Sequence, residues 1–195
     1  PHISSYALIV EPRTALERLI AKGKIKNVSD VKSEEQFHIL TKELDKEGFE
    51  NYELSNFGKE GFFSKNNSSY WLGIPYIGIG PSAHSFDGKQ RSWNIKNNSK
   101  YIKSIQELVL PIERETLSIT DKYNEYVMTG LRTIWGVSLE KIKNNFGIKY
   151  LDYLEGQSKK HIEQELLYIE KGVLKTRKKG RFLVDGIASD LFMLN

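Results

Sequence analysis

Phe49-Glu-Asn-Tyr-Glu-Leu54 is the stretch on which the fold turns. It follows Gly48, alternates well enough to be a strand, and comes directly after a segment with helical spacing. In that segment Ser33 is followed three residues on by Gln36, a capping-box pattern, and Phe37, Leu40 and Leu44 recur on one face. A helix is therefore expected over residues 33–47. Further back, Ile3-Ser-Ser-Tyr-Ala-Leu-Ile-Val10 mixes β-branched, aromatic and aliphatic residues and is stopped by Glu11-Pro12, which predicts a buried strand. Leu16, Leu19 and Ile20 mark a short helix between them that ends at Gly23. Strand, helix and strand in this order favour a parallel βαβ unit and an α/β fold.

Forward from Leu54, residues 55–69 are polar and glycine-bearing and are expected as a long loop, a length that in compact domains usually carries function. Tyr70-Trp71 leads into Ile74-Pro-Tyr-Ile-Gly-Ile-Gly-Pro81, expected as a third strand whose glycines admit close backbone approach. Ile102, Ile105, Leu108 and Val109 predict a helix closed by Pro111. The charged residues 113–120 are the expected domain boundary, dividing the chain into residues 1–112 and 113–195. Beyond it, Tyr123, Tyr126, Val127, Leu131 and Ile134 share a helical face, Ser138 caps a second helix over residues 139–146, and His161, Ile162 and Leu166 suggest a third. Residues 167–169 and 173–175 flank Lys171-Gly172 as a hairpin, and Phe182, Ile187, Leu191 and Phe192 close the chain on a last helix. Three short helices and a hairpin resemble a winged helix.

Composition bounds the chemistry. At 195 residues the chain has room for one large or two small domains, at roughly 100–200 residues each. Mean hydropathy is −0.47, and no apolar run approaches the ~18 residues that cross a bilayer. There is no cysteine, which removes disulfides, thiolate nucleophiles, Cys-built zinc sites and Cys-ligated iron–sulfur clusters from this polypeptide. The net charge of +4 is spread evenly, with 14 Lys/Arg against 12 Asp/Glu in residues 1–100 and 15 against 13 in the rest. Only Lys175-Thr-Arg-Lys-Lys-Gly-Arg181 concentrates positive charge, and a run that short reads first as a solvated turn and second as a nucleic-acid patch.

Candidate chemistry collects in three places: Tyr52-Glu-Leu-Ser-Asn-Phe57, Asn66-Asn-Ser-Ser-Tyr-Trp71 and Gly78-Ile-Gly-Pro-Ser-Ala-His-Ser85. Aromatic faces, amides and hydroxyls at strand ends suit a large planar ligand, and Arg91 is placed to pair with a carboxylate. Gly78-Ile-Gly-Pro81 lacks the Lys-Ser/Thr of a phosphate loop. Ser82 and Ser85 beside His84 lack a nucleophile elbow. The four histidines, His2, His38, His84 and His161, are too scattered to suggest a metal site.

The ordered set His2-Ile-Ser-Ser-Tyr, Glu11-Pro-x-Thr14, Tyr52-Glu-Leu-Ser-Asn-Phe57, Asn67-x-x-Tyr-Trp71 and Gly78-Ile-Gly-Pro-x-Ala-His-Ser85 resembles the HemW branch of the oxygen-independent coproporphyrinogen III oxidase family. The last ~75 residues, with Gly130-Leu-Arg and Asp185-Gly-Ile-Ala-Ser-Asp-Leu-Phe192, are similar to that family's C-terminal domain. The resemblance implies the last strands of a partial (β/α) radical S-adenosylmethionine barrel followed by a small winged-helix-like domain. It also implies S-adenosylmethionine and a [4Fe–4S] cluster on a three-cysteine loop that this cysteine-free chain does not contain. The chain is thus expected to be part of a longer protein and inactive in radical chemistry alone.

By the same resemblance Ile9 and His84 would line the S-adenosylmethionine pocket, and Asn67, Tyr70 and Trp71 match a motif associated with heme, with Asn66 where the family has histidine. Heme or a porphyrin is the implied ligand, and a heme-accepting protein and cytoplasmic action follow from it. Heme transfer and coproporphyrinogen oxidation stay open as alternatives, the motifs leaning towards transfer. Nucleic-acid binding through residues 121–195 is the reading from a different class. A half-covered sheet with a free edge predicts a homodimer through that edge.

Overall fold

In the computed structural model, which describes residues 1–194, the chain divides between Ser64 and Lys65 into two units. The first holds β1 (His2–Ser4), α1 (Ala15–Ala21), α2 (Asp30–Lys46), β2 (Glu50–Glu53) and β3 (Asn56–Gly58). Thr14 caps α1 by accepting from the Glu17 N–H. The cap of α2 is Ser29, which accepts from the Lys32 N–H, so Ser33 belongs to the first turn and the expected box at Ser33 and Gln36 does not form. Ser29 wins because its backbone is extended and Asp30 follows it, an acidic side chain at the positive end of the helix dipole. Gly48, at φ +74°, ends the helix, and the Phe49 N–H closes back on the Leu44 carbonyl at 3.0 Å.

The strand pairing corrects the expected parallel unit. The sheet order is β1-β3-β2 and both pairings are antiparallel, so β1 and β2 run in the same direction with β3 between them. Only two residues separate β2 from β3, and the turn is fixed by the side chains that flank it. Buried Glu53 accepts from the Ser55 N–H at 3.1 Å and from the Asn56 amide, and Asn56 accepts from the Ser4 hydroxyl. Tyr52 stacks on Phe63 at 4.5 Å and its hydroxyl is 2.9 Å from His2 Nε2. The Glu-x-Ser-Asn pattern thus ties a hairpin to β1. The expected eight-residue first strand stops at Ser4, and Tyr6, Leu8 and Ile9 beyond it are exposed.

The second unit begins with α3 (Lys65–Trp71), so residues 55–69 are not one loop but a turn, a strand and the start of a helix. It continues with β4 (His84–Phe86), β5 (Gln90–Asn94), α4 (Asn98–Gln106), β6 (Ile112–Thr116), α5 (Ile119–Leu131), β7 (Val137–Ser138), α6 (Leu139–Phe146), α7 (Ile148–Glu163), β8 (Leu167–Glu170), β9 (Val173–Thr176), a 3-10 turn (Lys178–Leu183) and α8 (Val184–Asp190). Residues 74–81 do not form the expected strand; a single antiparallel bridge joins Tyr76 to Phe86. The glycines there do permit close approach: a Cβ at Gly78 would lie 2.1 Å from the His84 carbonyl oxygen. Asn94 holds the segment by donating to the Gly80 carbonyl at 2.8 Å.

β4, β5 and β6 form an antiparallel meander. The expected boundary at 112/113 therefore falls inside β6, whose charged residues ladder against β5. After it, Ser118 and Asp121 make a reciprocal capping box that starts α5. From α5 onward the order is helix, strand, helix, helix, strand, strand, with sheet order β7-β9-β8, which is a winged-helix topology. Its core contains Tyr123, Val127, Leu131, Ile142, Leu154, Leu174 and Leu191, each fully buried, and each aliphatic one contributes about 1.5–3 kcal/mol. Gly130 lets α5 approach β7, since a Cβ there would lie 2.6 Å from Val137 Cγ2 and 2.7 Å from the Gly136 carbonyl oxygen. Among the described residues no helix is long and apolar enough to cross a membrane.

Candidate functional site

Three periodicities within the second unit converge on one cleft of about 960 Å³. On α3, Asn67, Tyr70 and Trp71 stand at i, i+3 and i+4 and share a face. On the β4–β5 hairpin, His84 and Phe86 are two apart and pair with Trp93 and Arg91, so all four side chains lie on one face of the sheet. On α5, Tyr126, Thr129 and Gly130 follow the same helical spacing, and Thr133 lies just past its end. The volume lies at the upper end of the ~300–1,000 Å³ typical of ligand clefts.

The walls are aromatic, interspersed with charged and amide side chains that include Asn67, Arg91, Glu115, Lys122, Glu125 and Lys141. Tyr70 meets Tyr76 edge-on at 4.6 Å, and His84 lies 6.0 Å from the Trp93 ring. The Arg132 guanidinium lies 5.2 Å from the Trp71 ring and Lys141 Nζ lies 4.4 Å from that of Tyr126. Tyr126 is fixed by accepting from the Ser138 N–H at 3.0 Å. Arg91 Nη2 is 2.7 Å from Glu125 Oε1. Burial pushes the Glu125 carboxyl up, and the Arg91 charge opposes that only in part. Burial also pushes the Tyr76 phenol up.

Of the residues expected at a site, the structure gathers His84, Asn67, Tyr70, Trp71 and Arg91 on this one cleft. Ile9 belongs to the first unit and is 72% exposed. Asn66, where the resemblance expects histidine, is exposed and does not line the cleft. Sequence reasoning missed Phe86, Trp93, Glu125 and Lys141. The alternation in His84-Ser-Phe86 and Arg91-Ser-Trp93 is the local signal for Phe86 and Trp93, and it resolves to one face only once the two stretches pair as a hairpin. The basic run Lys175–Arg181 leaves β9 and enters the 3-10 turn, where Arg177, Lys178, Lys179 and Arg181 border a separate hollow of about 620 Å³. Among the described residues no group of three or more His, Cys, Asp or Glu is placed to hold a metal ion. With no cysteine in the chain, its residues do not fit a [4Fe–4S] cluster.

Residues 117–183 match the HemN C-terminal domain family. The chain is 30% identical over 184 residues to the heme chaperone HemW of Bacillus subtilis, covering 93% of this chain and 48% of that one. It is 31% identical over 196 residues to the heme chaperone HemW of Lactococcus lactis, covering 96% and 52%. The solved structure of coproporphyrinogen III oxidase (HemN) from Escherichia coli, a radical SAM enzyme, superposes with a TM-score of 0.65 at 17% identity over 89% of this chain and 44% of that one. The chain spans about half the length of the curated relatives it matches.

Proposed function

Because residues 117–183 match the HemN C-terminal domain family and the chain is 30–31% identical to HemW heme chaperones, we propose that it belongs with them, that its cleft binds heme or a related porphyrin and that the protein hands it to an acceptor protein in the cytoplasm. The observation that carries this reading is the cleft itself: Trp71, Tyr76, Phe86 and Trp93 supply stacking area, while Arg91 and Lys141 supply cations for acidic substituents. His84 brings an exposed imidazole to the same wall. A tetrapyrrole with an apolar face and carboxylate edge matches that donor set. When bound, heme would supply the iron centre that is carried; this chain's part is to stack the ring, pair its charged edge and shield one face from water.

In this reading the strands up to β6 belong to the barrel portion, and the winged helix from α5 onward, which contains most of residues 117–183, forms the accessory domain. S-adenosylmethionine and the [4Fe–4S] cluster would be held by a barrel portion that carries cysteines, with Ile9, exposed beyond β1, as the first unit's contribution. The exposed Tyr6, Leu8 and Ile9 that follow β1 support a covering partner for that face, either the rest of the barrel or, for this chain alone, a second copy paired through the sheet edge. A homodimer in solution is the expected outcome for the isolated chain, and a monodisperse monomer contradicts it.

Oxidation of coproporphyrinogen is the alternative, favoured only by the shared fold of the Escherichia coli enzyme. Saturable binding of hemin by the full chain, followed by release to an apo-hemoprotein, supports transfer. Binding of coproporphyrinogen without binding of hemin supports the alternative.

A further inference from the structure

Arg91 has two carboxylates as its neighbours on the cleft wall. Arg91 on β5 stands opposite Glu115 on β6 in the strand register and is ion-paired with Glu125 on α5. All three line the cleft, so one guanidinium faces two carboxylates on the wall of an aromatic cavity. The pair is open to a ligand, with side chains 41% and 32% exposed. A guanidinium presents a fork that matches a carboxylate bidentately, and a ligand carboxylate would compete for it with Glu125.

We propose that Arg91 is the carboxylate-binding subsite of the cleft and that Glu125 is its internal competitor, which a ligand carboxylate displaces on binding. The inference rests on the reading of the cleft as a porphyrin site and adds which side chain recognises the acidic edge of the ring and which one opposes it. Discrimination follows from the competition. A ligand without a carboxylate leaves the ion pair intact and gains nothing from Arg91, whereas a carboxylate ligand gains only the difference between its own pairing and that of Glu125.

Displacement also has a proton consequence. Glu125 without Arg91 keeps its burial and the neighbouring acids Asp121 and Glu115, with Lys122 on its own helix as the opposing cation and Tyr76, His84 and Lys141 on the other walls. Its carboxyl then takes up a proton more readily, so binding of a carboxylate ligand strengthens as pH falls.

The test is an absorbance titration of the full chain with two probes, hemin and hemin dimethyl ester. The wild type is expected to prefer hemin. Glu125→Gln, which keeps the shape and removes the charge, should tighten hemin about tenfold, the scale of a charge-assisted pair, and leave the ester unchanged. Arg91→Lys should narrow the preference and Arg91→Ala abolish it. Raising hemin affinity by lowering pH should work in the wild type and flatten in Glu125→Gln. Equal effects of Glu125→Gln on both probes, or none on hemin, overturn the subsite while leaving the porphyrin reading standing. Failure of the wild type to bind either probe overturns that reading, and the subsite with it.

Discussion

Arg132 places its guanidinium 5.2 Å from the ring of Trp71. One residue comes from Gly130-Leu-Arg132 on the winged-helix side, the other from Asn67-x-x-Tyr-Trp71 on the cleft wall. A third motif joins them, because Arg132 Nη1 is 2.8 Å from Asp185 Oδ1, at the start of Asp185-Gly-Ile-Ala-Ser. Motifs more than a hundred residues apart in sequence thus meet at one side chain, which packs on the tryptophan of the cleft wall.

From that contact, Arg132→Ala is expected to destabilise the second unit by about 1–2 kcal/mol, combining a partly buried cation–π contact with lost packing of the side-chain stem. Asp185→Asn should cost less, under about 1 kcal/mol, because Asp185 is 60% exposed and exposed pairs are screened. Urea denaturation of both variants measures the difference, and equal costs would remove the cation–π contact from the account.

Gly130→Ala sets two effects against each other. Helix propensity favours alanine by about 1 kcal/mol, but the new Cβ would meet Val137 and the Gly136 backbone at under 3 Å. Since backbone cannot yield as a flexible side chain does, overpacking by about 1–3 kcal/mol should win. The expected result is a lower Tm, and an unchanged or raised Tm contradicts the close approach of α5 and β7.

Glu53→Ala should loosen the first unit by about 1–3 kcal/mol, because it leaves the Ser55 N–H and the Asn56 amide without their shared acceptor. Glu53→Gln should recover part of that loss, since its carbonyl oxygen still accepts. Amide hydrogen exchange at Ser55 reports the change directly.

His161 is buried, and desolvation together with the Lys160 charge pushes its imidazole below the ordinary histidine value, while Asp190 opposes them. A depressed histidine favours the neutral form in the folded state, so the stability it contributes is present above the ordinary value of about 6.5 and is lost as pH falls below it. Asp190 is held low, chiefly by hydrogen bonding to Lys160, and its contribution disappears only at more acidic pH. Stability measured downward from neutral pH should decline in the wild type first through the histidine range. His161→Phe should remove that first decline and leave the acidic one.

The extent to which sequence disclosed this protein follows from the range of the forces involved. The helix starting at Ser138 was legible because a cap and an apolar face are local, and its bounds agree with those expected. The hairpin of β8 and β9 was legible for the same reason. Ser29 takes the cap from Ser33 because its backbone is extended and Asp30 follows it, whereas the Ser33–Gln36 pattern falls inside the helix. The split sheet was illegible because the pairing of β3 with β1 depends on the side chains of Ser4, Glu53 and Asn56, which meet only after folding. At the cleft, Tyr70, Trp71 and Arg91 were visible as residue types in a motif-rich stretch. Glu125, which contacts Arg91 across 34 positions of sequence, resembled any exposed helical acid.

The central claim is that Trp71 is a wall against which a porphyrin stacks, and hemin titration of the full chain with Trp71→Phe and Trp71→Ala tests it most directly. Trp71 Nε1 is buried without a hydrogen-bond partner, so phenylalanine removes ring area but no hydrogen bond and should bind within a few-fold of the wild type, whereas alanine should bind at least about tenfold more weakly. Hemin binding that is unchanged in Trp71→Ala, with the variant's melting transition intact, would contradict the account.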